Sequence, residues 1–351
     1  MSCTAEGVEG NHLYSGRVLG ATEHDDMIQL HPLLKNEWDE ITQHYARIGL
    51  QHSHNVIWDT SLEYMPIHDG TTPSLFFYGD MELKRNGDIA WANTVEFINS
   101  KNNFMSLADK LGVPVPKTSC FDSVGEISES DISNFPFPCY LKAAVSVSGV
   151  GIYRCEERKE LHEAMSRFTP EVPVQLQQEV KSEIFLNLQY RIIDGECRRL
   201  LATEQILEGT AHQGNFHPTP YEPWEIVEPM ANWMAERGFK DILAFDVAVL
   251  PGEQKTDYLA IECNPRFNGA SYPTLIALKL GINTWESCNF STRHRSLETL
   301  DLHDIEYSPA TGEGVIIVNW GPILVGKIMF MIAGNKEQRR RIKLELQLRL
   351  W

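Results

Sequence analysis

Between residues 32 and 49 the apolar positions Leu33, Leu34, Trp38, Ile41, Tyr45 and Ile48 recur at helical spacing and stop at Gly49, which predicts an amphipathic helix with a glycine cap. The runs NVIWD and SLFFYGD follow as short strands ending in turn residues. Residues 1 to 97 therefore read as a small α/β domain, with a Gly-rich, polar and loosely held start of about 25 residues.

A new pattern opens near residue 98. Asn99 or Ser100 can cap a helix that carries Phe104, Leu107, Ala108 and Leu111 on one face and stops at Gly112 and Pro114. Strand-turn-strand patterns follow in FPCYLKAAVSVSGVGIYRC, in IFLNLQYRIIDGECRRLLATEQI around Asp194-Gly195, and in DILAFDVAVLPGEQKTDYLAIECN. VPVQLQQEV reads as a strand, and KELHEAMSRF, PWEIVEPMANWMAERGF and PTLIALKLGI as helices. Hairpins mixed with helices, without a regular strand-helix-strand period, predict α+β lobes rather than a dinucleotide-binding fold. The expected division is 1–97, 98–175, 176–310 and 311–351. In the last part GVIIVNWGPILVGKIMFMIAG is long enough to span a bilayer, but its NWGP turn predicts two buried strands. The closing NKEQRRRIKLELQLRLW mixes basic and apolar residues and is expected to dock on the preceding domain.

Composition narrows the functions. The chain has 351 residues, 42% hydrophobic and 23% charged, which suits a globular protein of two or three domains. A net charge of -17 argues against nucleic acid as a main partner, since that binding is driven by Lys and Arg on phosphates. Seven scattered cysteines without a C-x-x-C pair fit a reducing compartment, and the first 26 residues lack a signal-peptide pattern, so a cytoplasmic location is expected.

Candidate chemistry concentrates at strand ends. In LAIECNPRFNG, period-two alternation puts Glu262 and Asn264 on one face. If Asp246 of AFDVAVL pairs opposite them, three oxygen-bearing side chains meet, a set suited to magnesium; on spacing alone the alternative is the polar face of a half-buried sheet. Lys142 ends a strand before the small-residue turn that contains Ser146, Ser148, Gly149 and Gly151, whose backbone N–H groups could close on phosphates. Lys101 begins a helix, against the preference of the helix dipole. The exit of QLQQEVKSE presents Gln178, Glu179 and Val180, then Glu183. GTAHQGNFHP, with His212, Gln213, Asn215 and His217, reads as a polar connector beside a substrate or a plain solvated loop.

In this order the features resemble the ATP-grasp superfamily, over roughly residues 98 to 290, with IECNPRFNG the most specific piece. The resemblance implies two α+β lobes enclosing ATP after a small α/β domain, and the activity of a carboxylate-amine ligase of the amino-acid or dipeptide type. It implies Lys101 and Lys142 on the phosphates, the 146–151 hairpin as a flap, residues 177–180 at the adenine, and Glu183 at the ribose. Asp246, Glu262 and Asn264 would hold one or two Mg2+, with Mn2+ as a substitute, and Arg266 and Lys142 would act in catalysis. Ala270, Ser271 and Tyr272 would shape a second-substrate pocket. The implied partners are a small carboxylic acid and an amine, either an amino acid or a peptide, with a homodimer as the implied assembly and no membrane. A nucleotide-binding regulator or a kinase on the same fold is the competing expectation. The sequence departs from the pattern in a glycine-poor flap, in Lys181-Ser182 before Glu183, and in lacking an arginine two residues before Asp246.

Overall fold

The computed structural model describes residues 8–59, 88–146, 151–209 and 211–351. The expected strand SLFFYGD, and Ser148 and Gly149 of the expected flap, lie outside them. In chain order the elements are β1 (Met27–Leu30), α1 (Trp38–Ile48), β2 (Asn55–Trp58), α2 (Ile89–Asn99), α3 (Lys101–Leu111), β3 (Thr118–Phe121), α4 (Glu129–Asn134), β4 (Cys139–Ala143), β5 (Ile152–Cys155), α5 (Arg158–Met165), β6 (Val174–Gln178), β7 (Ile184–Ile193) and β8 (Glu196–Glu208). They continue with β9 (Ala211–His217), α6 (Trp224–Glu236), β10 (Asp241–Leu250), β11 (Asp257–Asn264), α7 (Ser271–Leu280), β12 (Trp285–Ser291), β13 (Gly314–Asn319), β14 (Lys327–Ala333) and α8 (Lys336–Arg349). They form two compact units, each discontinuous in sequence: Met1–Thr72, Thr203–Pro220 and Phe267–Trp351 in the first, Pro73–Ala202 and Tyr221–Arg266 in the second.

In the first unit, β1 and β2 pair in parallel with α1 between them in the chain, a small βαβ unit. Gly49 caps α1 at φ 76°, as its position after the apolar stripe predicts. Residues 1–7 of the expected loose start lie outside the described residues, and from residue 8 onward the start is packed. Residues Asn11–Ala21 form a 3-10 helix that buries Leu13 and Leu19. The glycines that made it look loose are contact points: a Cβ on Gly16 would lie 2.9 Å from the Trp320 ring, and one on Gly20 would lie 2.7 Å from Ile276. The long apolar stretch near the C-terminus is two buried strands, β13 and β14, paired antiparallel around a short 3-10 turn at Gly321–Val325. Among the described residues no helix is long and apolar enough to cross a membrane. The basic tail is α8, which buries Ile342, Leu346 and the following Leu350.

The second unit holds two cores. The sheet β3-β6-β4-β5 packs Cys139, Leu141, Val174 and Leu176 with α4 and α5 residues such as Ile132 and Leu161. Strands β7, β10 and β11 pack Leu186, Leu188, Phe245 and Val247 under α2, α3 and α6, which contribute Trp91, Phe104 and Met230. Helix α2 has no strong amphipathic signature and was not expected from the sequence. Strands β7 and β8 meet at Asp194-Gly195 with φ of 52° and 79°, the two positive values that a tight hairpin turn of this kind requires.

One polar triad, buried at His44, ties the first unit together. His44 is buried; its Nε2 accepts from the Ile317 backbone N–H at 3.0 Å, and its Nδ1–H donates to Glu306 at 2.7 Å. Arg47 grips both Glu306 oxygens, at 2.8 and 2.7 Å. Burial holds the His44 pKa below 6.5 against the pull of Glu306. Burial would raise Glu306, but its bonds to Arg47 and His44 outweigh that and bring it down to about 2. A histidine whose folded pKa is lowered stabilises the fold above its unfolded value, near 6.5, and the contribution is lost as pH falls below it; the lowered carboxylate adds a second loss below about pH 4.5. Urea midpoints are expected to drop between pH 6.5 and 5, with part of the loss belonging to His44. His44→Asn should flatten that window relative to wild type; an unchanged slope would contradict the assignment.

Candidate functional site

The site is built on the polar face of β7, β10 and β11. Leu186, Leu188, Phe245 and Val247 point into the core, so strand alternation turns Asn187 and Asp246 to the opposite face. The antiparallel register then sets Asp246 opposite Glu262 on one side and opposite Asn187 on the other, with Ala244 opposite Asn264. A bulge after Asp246 shifts the β10–β11 register just beyond the carboxylate pair. Asn187 Nδ2 donates to Asp246 Oδ1 at 2.7 Å, and Asn264 Nδ2 donates to Oδ2 at 3.1 Å.

Cations face this pair. Lys101 sits in the first turn of α3, 8% exposed, because Ser100 caps the helix and the Lys101 N–H donates to Ala144 O at the end of β4. Its Nζ lies 3.5 Å from Glu262 Oε2, and Glu262 keeps 36% of its side-chain surface open. Lys142 on β4 donates to Gln177 Oε1 at 2.6 Å. Burial pushes the Lys142 ammonium down to about 8, opposed by the attraction of Glu262. Burial would raise Glu262, but Lys101, Lys142 and Arg266 hold it below its ordinary value. Asp246 is pushed up to about 7, by burial first and then by the neighbouring Glu262 charge. Arg266 Nη1 reaches Asn99 Oδ1 at 3.4 Å, which links it to the end of α2.

Lys101, Lys142, Asp246, Glu262, Asn264 and Arg266 are thus brought into one electrostatic cluster. The residues expected at the adenine form a separate group. The backbone N–H groups of Gln178 and Glu179 bond to Lys117 O and Pro138 O, and Val180 O accepts from Ser182 N. The Glu179 carboxylate is gripped by Arg154 at 2.5 and 3.0 Å and touched by Tyr140 at 3.3 Å. Glu183 is exposed. Of the flap, Ser146 ends one described side, and Gly151 (φ 73°) begins the other, its carbonyl accepting from Ala143 N. Arg191, Arg198 and Arg199 are spent on Asp241, Glu196 and Glu228.

In the first unit the polar connector is not a loop. Residues Ala211–His217 form β9, paired with the end of β8, and Asn215 is fully buried. Asn215 accepts from or donates to its neighbours at every turn: Oδ1 meets His212 Nε2 at 2.6 Å, and Nδ2 donates to Thr203 Oγ1 at 3.0 Å. Ala270, Ser271 and Tyr272 are 2% exposed or less, closed into the start of α7 rather than lining open space.

Sequence reasoning missed Asn187 and the site role of Asn99, and it expected Gln177 at the adenine without its bond to Lys142. The signal for Asn187 was present: in IFLNLQYRII a polar face, Asn187 and Gln189, alternates with an apolar one through the buried middle of the strand, Leu186 to Tyr190.

No family model and no curated protein matches the sequence. Solved structures do. The N5-carboxyaminoimidazole synthetase of Staphylococcus aureus, complexed with ADP, matches with a TM-score of 0.58 at 12% identity, over 94% of this chain and 98% of its own. The carboxyaminoimidazole ribonucleotide synthase of Aspergillus clavatus, complexed with ATP, gives 0.55 at 12% identity, over 89% and 94%. The biotin carboxylase of Campylobacter jejuni, in a βγ-ATP complex, gives 0.57 at 13% identity, over 78% and 71%. The chain has the ATP-grasp fold. At these identities the likeness concerns the backbone, so the chemistry of this ATP-grasp chain rests on its own residues. Two opposed carboxylates, one raised by the other, braced by amide donors and left open on the Glu262 side, fit a hard cation. Removing a brace should be felt: Asn187→Ala is expected to cost about 1–2 kcal/mol of stability in urea denaturation, and an unchanged midpoint would contradict the role.

Proposed function

We propose that the chain is an ATP-dependent ligase that activates a carboxylate as an acyl phosphate and joins it to an amine, releasing ADP and phosphate. The observation that carries this reading is the cluster in which Lys101, Lys142 and Arg266 face the Asp246–Glu262 pair. A cation-rich wall beside a paired carboxylate site is what phosphoryl transfer needs, since that chemistry is mostly positioning and charge neutralisation. In this reading 1–97 is the domain preceding the ATP-grasp lobes, 98–175 the small lobe with the flap, 176–310 the large lobe with the metal site, and 311–351 a C-terminal hairpin and helix.

Asp246, Glu262 and Asn264 would hold Mg2+. Bound there, the ion supplies charge neutralisation for the phosphate oxygens. Lys101 and Lys142 bind the same phosphates from the protein side, and Lys142, drawn down to about 8, remains mostly charged at neutral pH. Ser146 and Gly151, with Ser148 and Gly149 between them in sequence, would close over the phosphates. Gln178, Glu179 and Val180 would border the base, with the Arg154 grip holding the Glu179 side chain in place. Glu183 would meet the ribose. Arg266, steadied by Asn99, would stabilise the oxyanion formed when the amine attacks.

Two matched structures are named for complexes with an aminoimidazole ribonucleotide and with bicarbonate. The acid and amine of this chain are accordingly proposed only as small molecules. In this reading the protein acts in the cytoplasm, which its scattered cysteines support; the six described cysteines form no disulfide.

ADP and phosphate release should depend on adding both a carboxylic acid and an amine from a small-molecule panel. Stable transfer of phosphate to a hydroxyl would instead mean a kinase, and tight ATP binding without turnover a regulator. Glu262→Gln is expected to lower turnover at least a hundredfold while leaving the fold intact by circular dichroism; wild-type turnover in this variant would sink the metal assignment.

A further inference from the structure

Gln177, 3% exposed, stands in the middle of the small sheet of the second unit. In β6 the apolar Val174 and Leu176 point into the core, as do Cys139 and Leu141 of β4. Alternation therefore turns Gln175 and Gln177 to the opposite face, together with Tyr140 and Lys142. The register sets Gln175 opposite Lys142, and Gln177 between Thr118 of β3 and Tyr140 of β4. Lys142 does not bond the residue directly opposite. It reaches along the diagonal to Gln177 Oε1 at 2.6 Å, with its Nζ 5.4 Å from the centre of the Tyr140 ring, a cation–π distance.

Chemistry fixes the orientation of the Gln177 amide. The Thr118 hydroxyl donates its proton to Pro116 O at 2.8 Å, so toward Gln177 it can only accept, and it takes the Gln177 Nε2–H at 3.1 Å. This turns Oε1 toward Lys142. Both polar atoms of the buried amide are thereby committed inside the protein, which leaves a base edge no free polar end to meet. The acceptor is also neutral. A lysine held by a carboxylate has its charge cancelled, whereas one held by an amide oxygen keeps its charge and two further N–H donors for an anion. Gln175, equally buried, bonds with neither of its side-chain polar atoms, so the brace is this one glutamine and not the polar face at large.

We propose that Gln177, its amide turned by Thr118, is a positioning residue that aims the Lys142 ammonium at the phosphates of a nucleotide and takes no part in reading the base. This rests on the reading of the cluster as an ATP site. It departs from the expectation that residues 177–180 act together at the adenine, and leaves that border to Gln178, Glu179 and Val180.

Calorimetric titration of the full chain with ADP and with IDP, which differs from ADP at the base alone, tests it in the presence of Mg2+. Gln177→Met should weaken ADP about tenfold, the scale of one hydrogen bond to a charged group, at an unchanged ratio of ADP to IDP affinity. Because Gln177 acts through Lys142, that loss should vanish in a Lys142→Met background, where a merely structural role would still add. Thr118→Val, which frees the amide to turn, should weaken ADP several-fold, and Thr118→Ser should bind as wild type does. If Gln177→Met does not fold by circular dichroism, Thr118→Val carries the same cycle. With wild type binding ADP, the proposal is overturned by wild-type affinity in Gln177→Met or Thr118→Val, by an additive loss with Lys142→Met, or by an altered ADP to IDP ratio. Wild-type protein that binds no ADP would remove the ATP reading itself, and the proposal with it.

Discussion

Two carboxylates placed directly opposite each other in an antiparallel ladder set the terms for the second unit. Asp246 and Glu262 cannot both carry charge in a half-buried setting without compensation, so everything around them serves to supply it. Asn187 and Asn264 donate to Asp246, while Lys101, Lys142 and Arg266 act on Glu262. The result is asymmetric. Asp246 is pushed toward protonation and Glu262 is held as an anion.

That arrangement is affordable because the opposite face of the same strands is apolar. Leu186, Leu188, Phe245 and Val247 bury against α2, α3 and α6, and the hydrophobic burial fixes the register that the polar face needs. A slip of one residue would turn the carboxylates into the core. The helices contribute twice: α3 packs Phe104 and Leu107 inward, and its first residue, Lys101, reaches the carboxylates because the helix start is pinned to Ala144. A lysine in a first helical turn is unfavourable toward the helix dipole, and here the neighbouring Glu262 offsets it.

The first unit follows a different logic. Close approach of backbone at Gly16 and Gly20, and the His44–Glu306–Arg47 triad, lock the start of the chain and α1 onto the C-terminal strands. The same β12–β14–β13 ladder that builds its core leaves Asn319 and Lys327 on one face.

Much of this was legible in the chain. Period-two alternation in LAIECNPRFNG, the apolar stripe ending at Gly112, the Asp-Gly turn at 194–195 and the turn that divides the long C-terminal apolar stretch are local signals, and local backbone physics read them correctly. The sequence alone determined that Glu262 and Asn264 share a face, because side-chain alternation needs no partner strand. Only tertiary structure decided that Asp246 meets Glu262 rather than a neighbour, that Asn187 braces it, and that the glycines near the start are packing contacts rather than slack. It also turned residues 211–217 from an expected loop into a strand, which pairs with the end of β8 on one side and meets the distant β12 on the other, where the Asn215 backbone N–H donates to Ser287. Pairing register and long-range burial depend on what arrives from elsewhere in the chain, and no window of sequence contains that information.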